Sequence, residues 1–240
     1  DLKLFPQALQ LLQQFEPLQR KDKTTFTVLK AVLLAESKQV QPALDVLKTL
    51  KIATLDAGLN LQVAYVYRTL GQPMDALIAI QYAAAKEPQN KDIQQEYIHS
   101  LMALGAYQRA ENFIQQHELH TWAEPLQPQI DLGDFSQRIN TAIKRQQYLS
   151  ARGENEAESF SALDEVLLDA QQHLQQENLV QPYLNRFYYD YVYALSYRGR
   201  SKQVLQIVQS QKALPDVMQM PAYARQAIAD AYLKERQPAQ

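Results

Sequence analysis

The 240-residue sequence contains no cysteine, which excludes disulfide bonds and thiolate metal sites. Its formal net charge of −2 leaves no basic excess for neutralising phosphates, so we expect no nucleic-acid partner. No apolar run approaches the roughly 20 residues that a membrane-spanning helix needs. We therefore expect that this chain does not span a membrane by itself.

Signatures of catalysis are also missing, because the chain has no phosphate-binding loop, nucleophile elbow or dinucleotide fingerprint. Only His117 and His120 are close among the four histidines, and a pair without a third ligand predicts a solvated helix end. Asp131 and Asp134 flank Gly133, which is typical of loop and helix-cap chemistry. The sequence predicts a protein that is not an enzyme and has neither metal nor cofactor.

Residues 57–90 contain a complete helix–turn–helix pattern. Its markers are a small residue, an aromatic, a turn glycine, a second small residue and a terminal proline: Ala64, Tyr67, Gly71, Ala76 and Pro88. Small residues let two helices approach closely. The 34-residue unit resembles the tetratricopeptide repeat.

The same markers recur along the chain. Ala31 precedes Ala64 by 33 residues, and Gly105 follows Gly71 by 34. All eleven prolines lie at predicted helix ends, where a missing N–H costs least. We predict an all-α fold, a tetratricopeptide-repeat superhelix with one divergent, elongated hairpin in the middle.

Three segments are predicted. Residues 1–120 form repeats with a truncated first unit, and residues 181–240 form repeats with a truncated last unit, in which Ala229 and Tyr232 occupy marker positions. Between them, residues 121–133 are predicted to be an irregular connection rich in proline. Residues 135–151 and 156–176 are predicted to form an elongated helical hairpin.

The first helices of successive repeats line the concave groove of such a superhelix. Outward positions on these helices are therefore candidate ligand contacts: Val28, Val32, Glu36, Leu61, Tyr65, Arg68, Gln95, His99, Met102, Tyr189, Tyr193, Ser196, Tyr197, Gln226, Asp230 and Lys234.

Residues 183–197 contain seven aromatics, more than one helix face can bury. The interpretation assigns three of them, Phe187, Tyr188 and Tyr191, to packing. The other face has tyrosines spaced by four, Tyr189, Tyr193 and Tyr197. A tyrosine ring covers the apolar C–H surface of a sugar while its hydroxyl serves a polar edge.

Charged residues accompany these tyrosines. Asp190 and Asp230 are predicted to make the surroundings mildly acidic and so to attract a cationic ligand. The alternative is that both are ordinary solvated carboxylates. Tyr65 with Arg68 is a second candidate contact point.

The C-terminal part resembles a more specific family. Its motifs are Asn185-Arg186-Phe187 with Asp190 and Ala194-Leu195, then Pro221-Ala222-Tyr223-Ala224, Ala229-Asp230-Ala231-Tyr232 and Arg236-Gln237-Pro238. They resemble the periplasmic repeat region of the bacterial poly-β-1,6-N-acetylglucosamine export porins. The resemblance implies a periplasmic domain of an outer-membrane protein that guides partially deacetylated polymer in biofilm matrix export and docks the periplasmic polysaccharide deacetylase.

A second interpretation stays open, in which the array binds a peptide or partner domain and no sugar. The apolar groove positions Val28, Val32 and Leu61 favour it, because repeat grooves of this kind commonly take protein ligands.

Overall fold

The computed structural model describes residues 4–15, 23–175, 183–210 and 219–235, and all regular secondary structure within these ranges is helical. The α-helices are α1 Phe5–Phe15, α2 Lys23–Glu36, α3 Val40–Leu47, α4 Ala57–Thr69, α5 Pro73–Lys86, α6 Lys91–Ala103, α7 Tyr107–Gln116, α8 His120–Ala123, α9 Gln127–Ala151, α10 Glu156–Gln175, α11 Tyr183–Tyr197, α12 Ser201–Ser210 and α13 Ala222–Lys234. Short 3-10 helices occupy Ile52–Thr54 and Glu124–Leu126. The predicted all-α helical repeat fold is confirmed.

The chain forms two compact units, Asp1–Glu118 and Leu119–Gln240. No helix among the described residues is long and apolar enough to cross a membrane. The predicted middle segment, residues 121–180, falls inside the second unit.

Unit 1 is a stack of helical hairpins, α2–α3, α4–α5 and α6–α7, with α1 packed on α2. The first helices of neighbouring hairpins, α2, α4 and α6, also contact one another in sequence. Ala64 and Ala76 are fully buried between α4 and α5, together with Val63 and Ile80. Small side chains therefore set the close approach within a hairpin, as the repeat pattern predicts.

The turn between α4 and α5 explains why a glycine recurs there. Gly71 has a φ of +71°, a left-handed conformation that costs glycine little. The next amide, that of Gln72, donates back to the carbonyl of Tyr67 at 2.8 Å. This pattern satisfies the carbonyl groups left open at the end of a helix.

Unit 2 contains the elongated hairpin, in which α9 has 25 residues and α10 has 20. The prediction of an irregular connection over residues 121–133 is wrong, because α8, a 3-10 turn and the start of α9 occupy it. Pro128 lies in the first turn of α9, where its missing N–H leaves no bond unmade. Gly133 lies inside the helix.

The same difference changes the interpretation of two carboxylates. Asp131 and Asp134 both lie within α9 rather than in a loop or at a helix cap. Asp131 accepts a hydrogen bond from Gln127 Nε2 at 2.9 Å. Burial and the nearby Asp131 raise the pKa of Asp134, although Arg138 opposes them.

Aromatic rings contribute to the core of unit 2. Phe135 of α9 stacks on Phe187 of α11 with ring centroids 4.0 Å apart. Phe187, Tyr188 and Tyr191 are all buried, which confirms their assignment to packing. The core of this unit thus adds buried rings to aliphatic residues and to alanines such as Ala194, Ala224 and Ala231.

One marker position in α13 is wrong. Ala229 is exposed, whereas Ala224, Ile228 and Ala231 are buried. The marker positions in α13 follow from aligning residues 236–238 with the turn at Gly71. The buried face of α13 is shifted by one residue from the face that this alignment predicts. That turn, residues 236–238, lies outside the described residues.

Candidate ligand-binding clefts

Unit 1 has an open cleft of about 590 Å³. We call it the unit-1 cleft and define it by its lining: Leu29, Val32, Leu61, Gln62, Tyr65, Arg68, Asp92, Gln95, Glu96 and His99. Every one of these residues belongs to α2, α4 or α6. The cleft therefore runs across the first helices of three consecutive hairpins.

An ion pair between neighbouring repeats forms part of its wall. Arg68 of α4 donates from Nε and Nη2 to the two carboxylate oxygens of Glu96 at 2.7 and 3.0 Å. The Glu96 side chain is only 9% exposed, and this pairing raises the pKa of Arg68. A two-point contact of this kind fixes orientation as well as charge.

Tyr65 presents its ring beside this pair. Its hydroxyl donates to Glu36 of α2, which raises the pKa of Tyr65. The Arg68 guanidinium carbon lies 5.6 Å from the ring centroid, within cation–π range. Tyr65 is 37% exposed, so a ligand can still reach the ring.

His99 of α6 completes this part of the wall. Burial, followed by the nearby Arg68, lowers the pKa of His99. The neutral ring is therefore favoured at neutral pH.

Two of the predicted groove residues in this unit are core residues. Val28 is fully buried and Met102 is 8% exposed, so neither lines the cleft. Val32, Leu61, Tyr65, Arg68, Gln95 and His99 do line it.

Unit 2 has a second, smaller cleft of about 270 Å³. This unit-2 cleft is lined by Ser136, Ile139, Asn140, Arg186, Asp190, Tyr193 and Tyr223. The residues come only from α9, α11 and α13. Like the unit-1 cleft, it crosses three helices, and α9 and α11 are the first helices of their hairpins.

Asp190 joins these three helices. It accepts hydrogen bonds from Ser136 of α9 and, at 2.6 Å, from the Tyr223 hydroxyl of α13. Arg186 Nε of its own helix lies 3.3 Å from Oδ1. Asp190 is buried, so its interpretation as an ordinary solvated carboxylate is wrong.

The rings around this carboxylate are ordered by edge-to-face contact. Tyr193 and Tyr223 are nearly perpendicular, with centroids 5.7 Å apart. Burial, the hydrogen bond to Asp190 and its charge raise the pKa of Tyr223 far above the usual tyrosine range. Tyr223 therefore stays a hydroxyl donor at any physiological pH.

The predicted tyrosine stripe is divided by the structure. All three tyrosines are partly buried against the core, and of them only Tyr193 lines the unit-2 cleft. The Tyr197 hydroxyl donates to Gln146 Oε1 at 2.8 Å. Asp230 is half-buried on α13 and is not part of the cleft lining. Of this group, only Tyr193 and Asp190 line the cleft, although the Tyr197 ring lies beside Tyr193 with centroids 6.5 Å apart.

Five residues of the unit-2 cleft escape the sequence-based prediction: Ser136, Ile139, Asn140, Arg186 and Tyr223. Arg186 and Tyr223 lie within the motifs of the family resemblance, and Arg186 precedes Asp190 by four positions on one helix. That i, i+4 spacing is a usable signal. Ser136 and Asn140 belong to a helix whose pairing with α11 no local pattern reveals.

Among the described residues, no three histidine, aspartate or glutamate side chains converge as a metal site. His120 is exposed, but His117 is partly buried and its ring centroid lies 4.2 Å from that of Phe113. No family model matches the chain, and no curated protein or solved structure is significantly similar to it.

Proposed function

We propose that this protein is a non-catalytic periplasmic scaffold that guides partially deacetylated poly-β-1,6-N-acetylglucosamine during its export across the outer membrane. The observation that supports it best is the shared placement of the two clefts. Each crosses three alternate helices of a helical stack and offers a tyrosine ring beside a carboxylate.

The chemistry of the linings suits such a polymer. Tyrosine rings cover the C–H face of a pyranose while polar edges meet its hydroxyl groups. Partial deacetylation leaves ammonium groups, which carboxylates such as Glu96 and Asp190 attract. Open clefts with few contacts per sugar favour weak binding that strengthens with polymer length, as a passage for a moving chain requires.

The family resemblance supports the proposed compartment and the proposed docking of the periplasmic deacetylase. Three of the residues that the resemblance rests on, Arg186, Asp190 and Tyr223, converge in the unit-2 cleft. Arg186 and Tyr223 are 37 positions apart, and their convergence places two of the resembling motifs at one site.

The test is titration with partially deacetylated β-1,6-glucosamine oligomers of increasing length, measured by isothermal calorimetry. Tyr65→Ala is expected to weaken binding about threefold to tenfold, because one ring contact is lost. Tyr82→Ala is the matched control, since Tyr82 is similarly exposed at 41% but lies on α5, a second helix. Equal effects of the two substitutions would remove the unit-1 cleft from the binding path.

A protein-docking array that binds no sugar is the second candidate. It is favoured by the aliphatic side chains Leu29, Val32 and Leu61 in the unit-1 cleft, of which Leu29 is 40% exposed. A purified deacetylase that binds the wild type and loses affinity for Leu29→Ser, together with flat oligosaccharide titrations, would select this function.

A further inference from the structure

Arg186 is an unusual member of the unit-2 cleft, because it is the only cation in the lining. Its guanidinium carbon lies 5.6 Å from the Tyr223 ring centroid. Its Nε lies 3.3 and 3.4 Å from the two oxygens of Asp190. A positive charge thus occupies the space between a buried carboxylate and an aromatic face.

The contacts that hold Arg186 there are weak. Both Nε distances are at the long end for a charged hydrogen bond, and the side chain is 53% exposed. The pair is also local, since the two residues are four apart on α11. By contrast, the Arg68–Glu96 pair of unit 1 is two-pronged and shorter, at 2.7 and 3.0 Å.

The rest of the Asp190 environment is firmly held. Ser136 and Tyr223 donate to it from two other helices, and Tyr193 supports the Tyr223 ring edge-on. Removing the arginine head would leave a carboxylate, a ring face and the polar groups of Ser136 and Asn140 around an open space. That combination recognises a compact organic cation.

We propose that the unit-2 cleft is a binding site for an organic ammonium group, and that Arg186 is its internal occupant, displaced from Asp190 and Tyr223 when the ligand enters. The inference rests on the proposed function for the source of that group, a free glucosamine amine. An N-acetylated sugar has no charge with which to replace the guanidinium. Arg186 therefore lowers the affinity and keeps the bound polymer exchangeable.

The test compares a β-1,6-linked glucosamine hexamer with its fully N-acetylated counterpart at about 0.15 M salt. Arg186→Gln keeps a long polar side chain without the charge, and is expected to tighten glucosamine binding about fivefold or more. Binding of the N-acetylated hexamer is expected to stay unchanged. Arg186→Lys retains the cation and is expected to resemble the wild type.

Two further variants separate the displacement of Arg186 from a general change in the charge of the protein. Arg225→Gln removes the same charge from an exposed position on α13 and is expected to leave binding of both hexamers unchanged. Asp190→Asn is nearly isosteric and is expected to remove the preference for the free amine, roughly tenfold. Thermal unfolding of each variant verifies that it is folded.

The outcomes distinguish this inference from the proposed function. If the wild type binds the oligomers and folded Arg186→Gln binds them equally well or more weakly, the inference is overturned and the proposed function stands. Arg186 is then a structural side chain. Failure of the wild type and every variant to bind either hexamer overturns both.

Discussion

Both units are stacks of helices, and they differ in the side chains of their cores and in the size of their clefts. In unit 1, fully buried alanines such as Ala64 and Ala76 hold the hairpins together, and the cleft is about 590 Å³. In unit 2, the stacked rings of Phe135 and Phe187 join buried alanines such as Ala194 and Ala224 in the core, and the unit-2 cleft is about 270 Å³.

The buried carboxylates of the two clefts also differ in the number of helices that they link. Glu96 of unit 1 is paired with one arginine from the neighbouring repeat, whereas Asp190 of unit 2 accepts from groups on three helices. We infer that the carboxylate of unit 2, which links three helices, supports the fold more than that of unit 1, which links two. The expected effects below follow from this difference.

The largest effect is expected for Asp190→Ala. The substitution leaves the hydroxyls of Ser136 and Tyr223 without their acceptor, which costs about 2–4 kcal/mol of unfolding free energy. Urea unfolding measures the total, and hydrogen exchange in α11 and α13 locates the loss.

The matched substitution in unit 1 is Glu96→Ala. Its partner Arg68 is 27% exposed and is rehydrated when the carboxylate is removed, so the expected loss is about half as large. A larger loss for Glu96→Ala than for Asp190→Ala would contradict the inferred difference between the clefts.

The Asp190 cluster also marks the limit of sequence reasoning. Ser136 and Asp190 are 54 positions apart, and their contact depends on how one helix stacks on another. Repeat markers determine which residues pack within a hairpin, so the units around Ala64 and Ala76 could be predicted. They do not determine which polar side chains meet between hairpins.

A loss smaller than that for Asp190→Ala is expected when a close helix contact in unit 1 is overfilled. Ala76 has no exposed surface, and Ala76→Leu is expected to destabilise the protein by about 1–3 kcal/mol because neighbouring side chains must shift. Ala229→Leu is the control, since Ala229 is exposed on α13. A comparable loss at Ala229 in thermal unfolding would restore it as a packing position.

Two groove assignments in unit 1, Val28 and Met102, are wrong for a related reason. Successive positions on a helix differ by about 100°, so a small error in orientation moves a side chain from the groove to the core. Val28 is fully buried although Val32, one turn later, lines the cleft. Periodicity therefore identified the helices of the unit-1 cleft more reliably than its individual side chains.

Two glycines provide the next comparison between the units. Gly71 of unit 1 has a φ of +71°, and Gly71→Ala is expected to cost about 1 kcal/mol. Gly133 of unit 2 lies inside α9, where Gly133→Ala is expected to stabilise by about 0.5–1 kcal/mol.

Chemical unfolding of both variants measures whether each substitution lowers or raises the free energy of unfolding. The pair also explains why the prediction for residues 121–133 is wrong, since a glycine marks a turn only where the backbone needs a positive φ. Destabilisation by both substitutions would show that Gly133 has a packing role that its helical position does not indicate.

The smallest expected effect is a pH dependence of stability that only the unit-1 cleft is expected to show. His99 lines the unit-1 cleft, and burial followed by Arg68 lowers its pKa from 6.5. A histidine with a depressed folded-state pKa contributes stability that is present above its unfolded pKa and is lost as the pH falls below it. The unit-2 cleft has no histidine in its lining. The relevant window is pH 7.5 to 5.5, about one unit on either side of the ordinary histidine pKa. Across it, the wild type is expected to lose slightly more thermal stability than His99→Gln. Hydrogen exchange is expected to locate this difference in α6. Identical pH slopes for the two proteins would contradict this expectation, because a histidine that titrates alike in the folded and unfolded chain adds no pH dependence to stability.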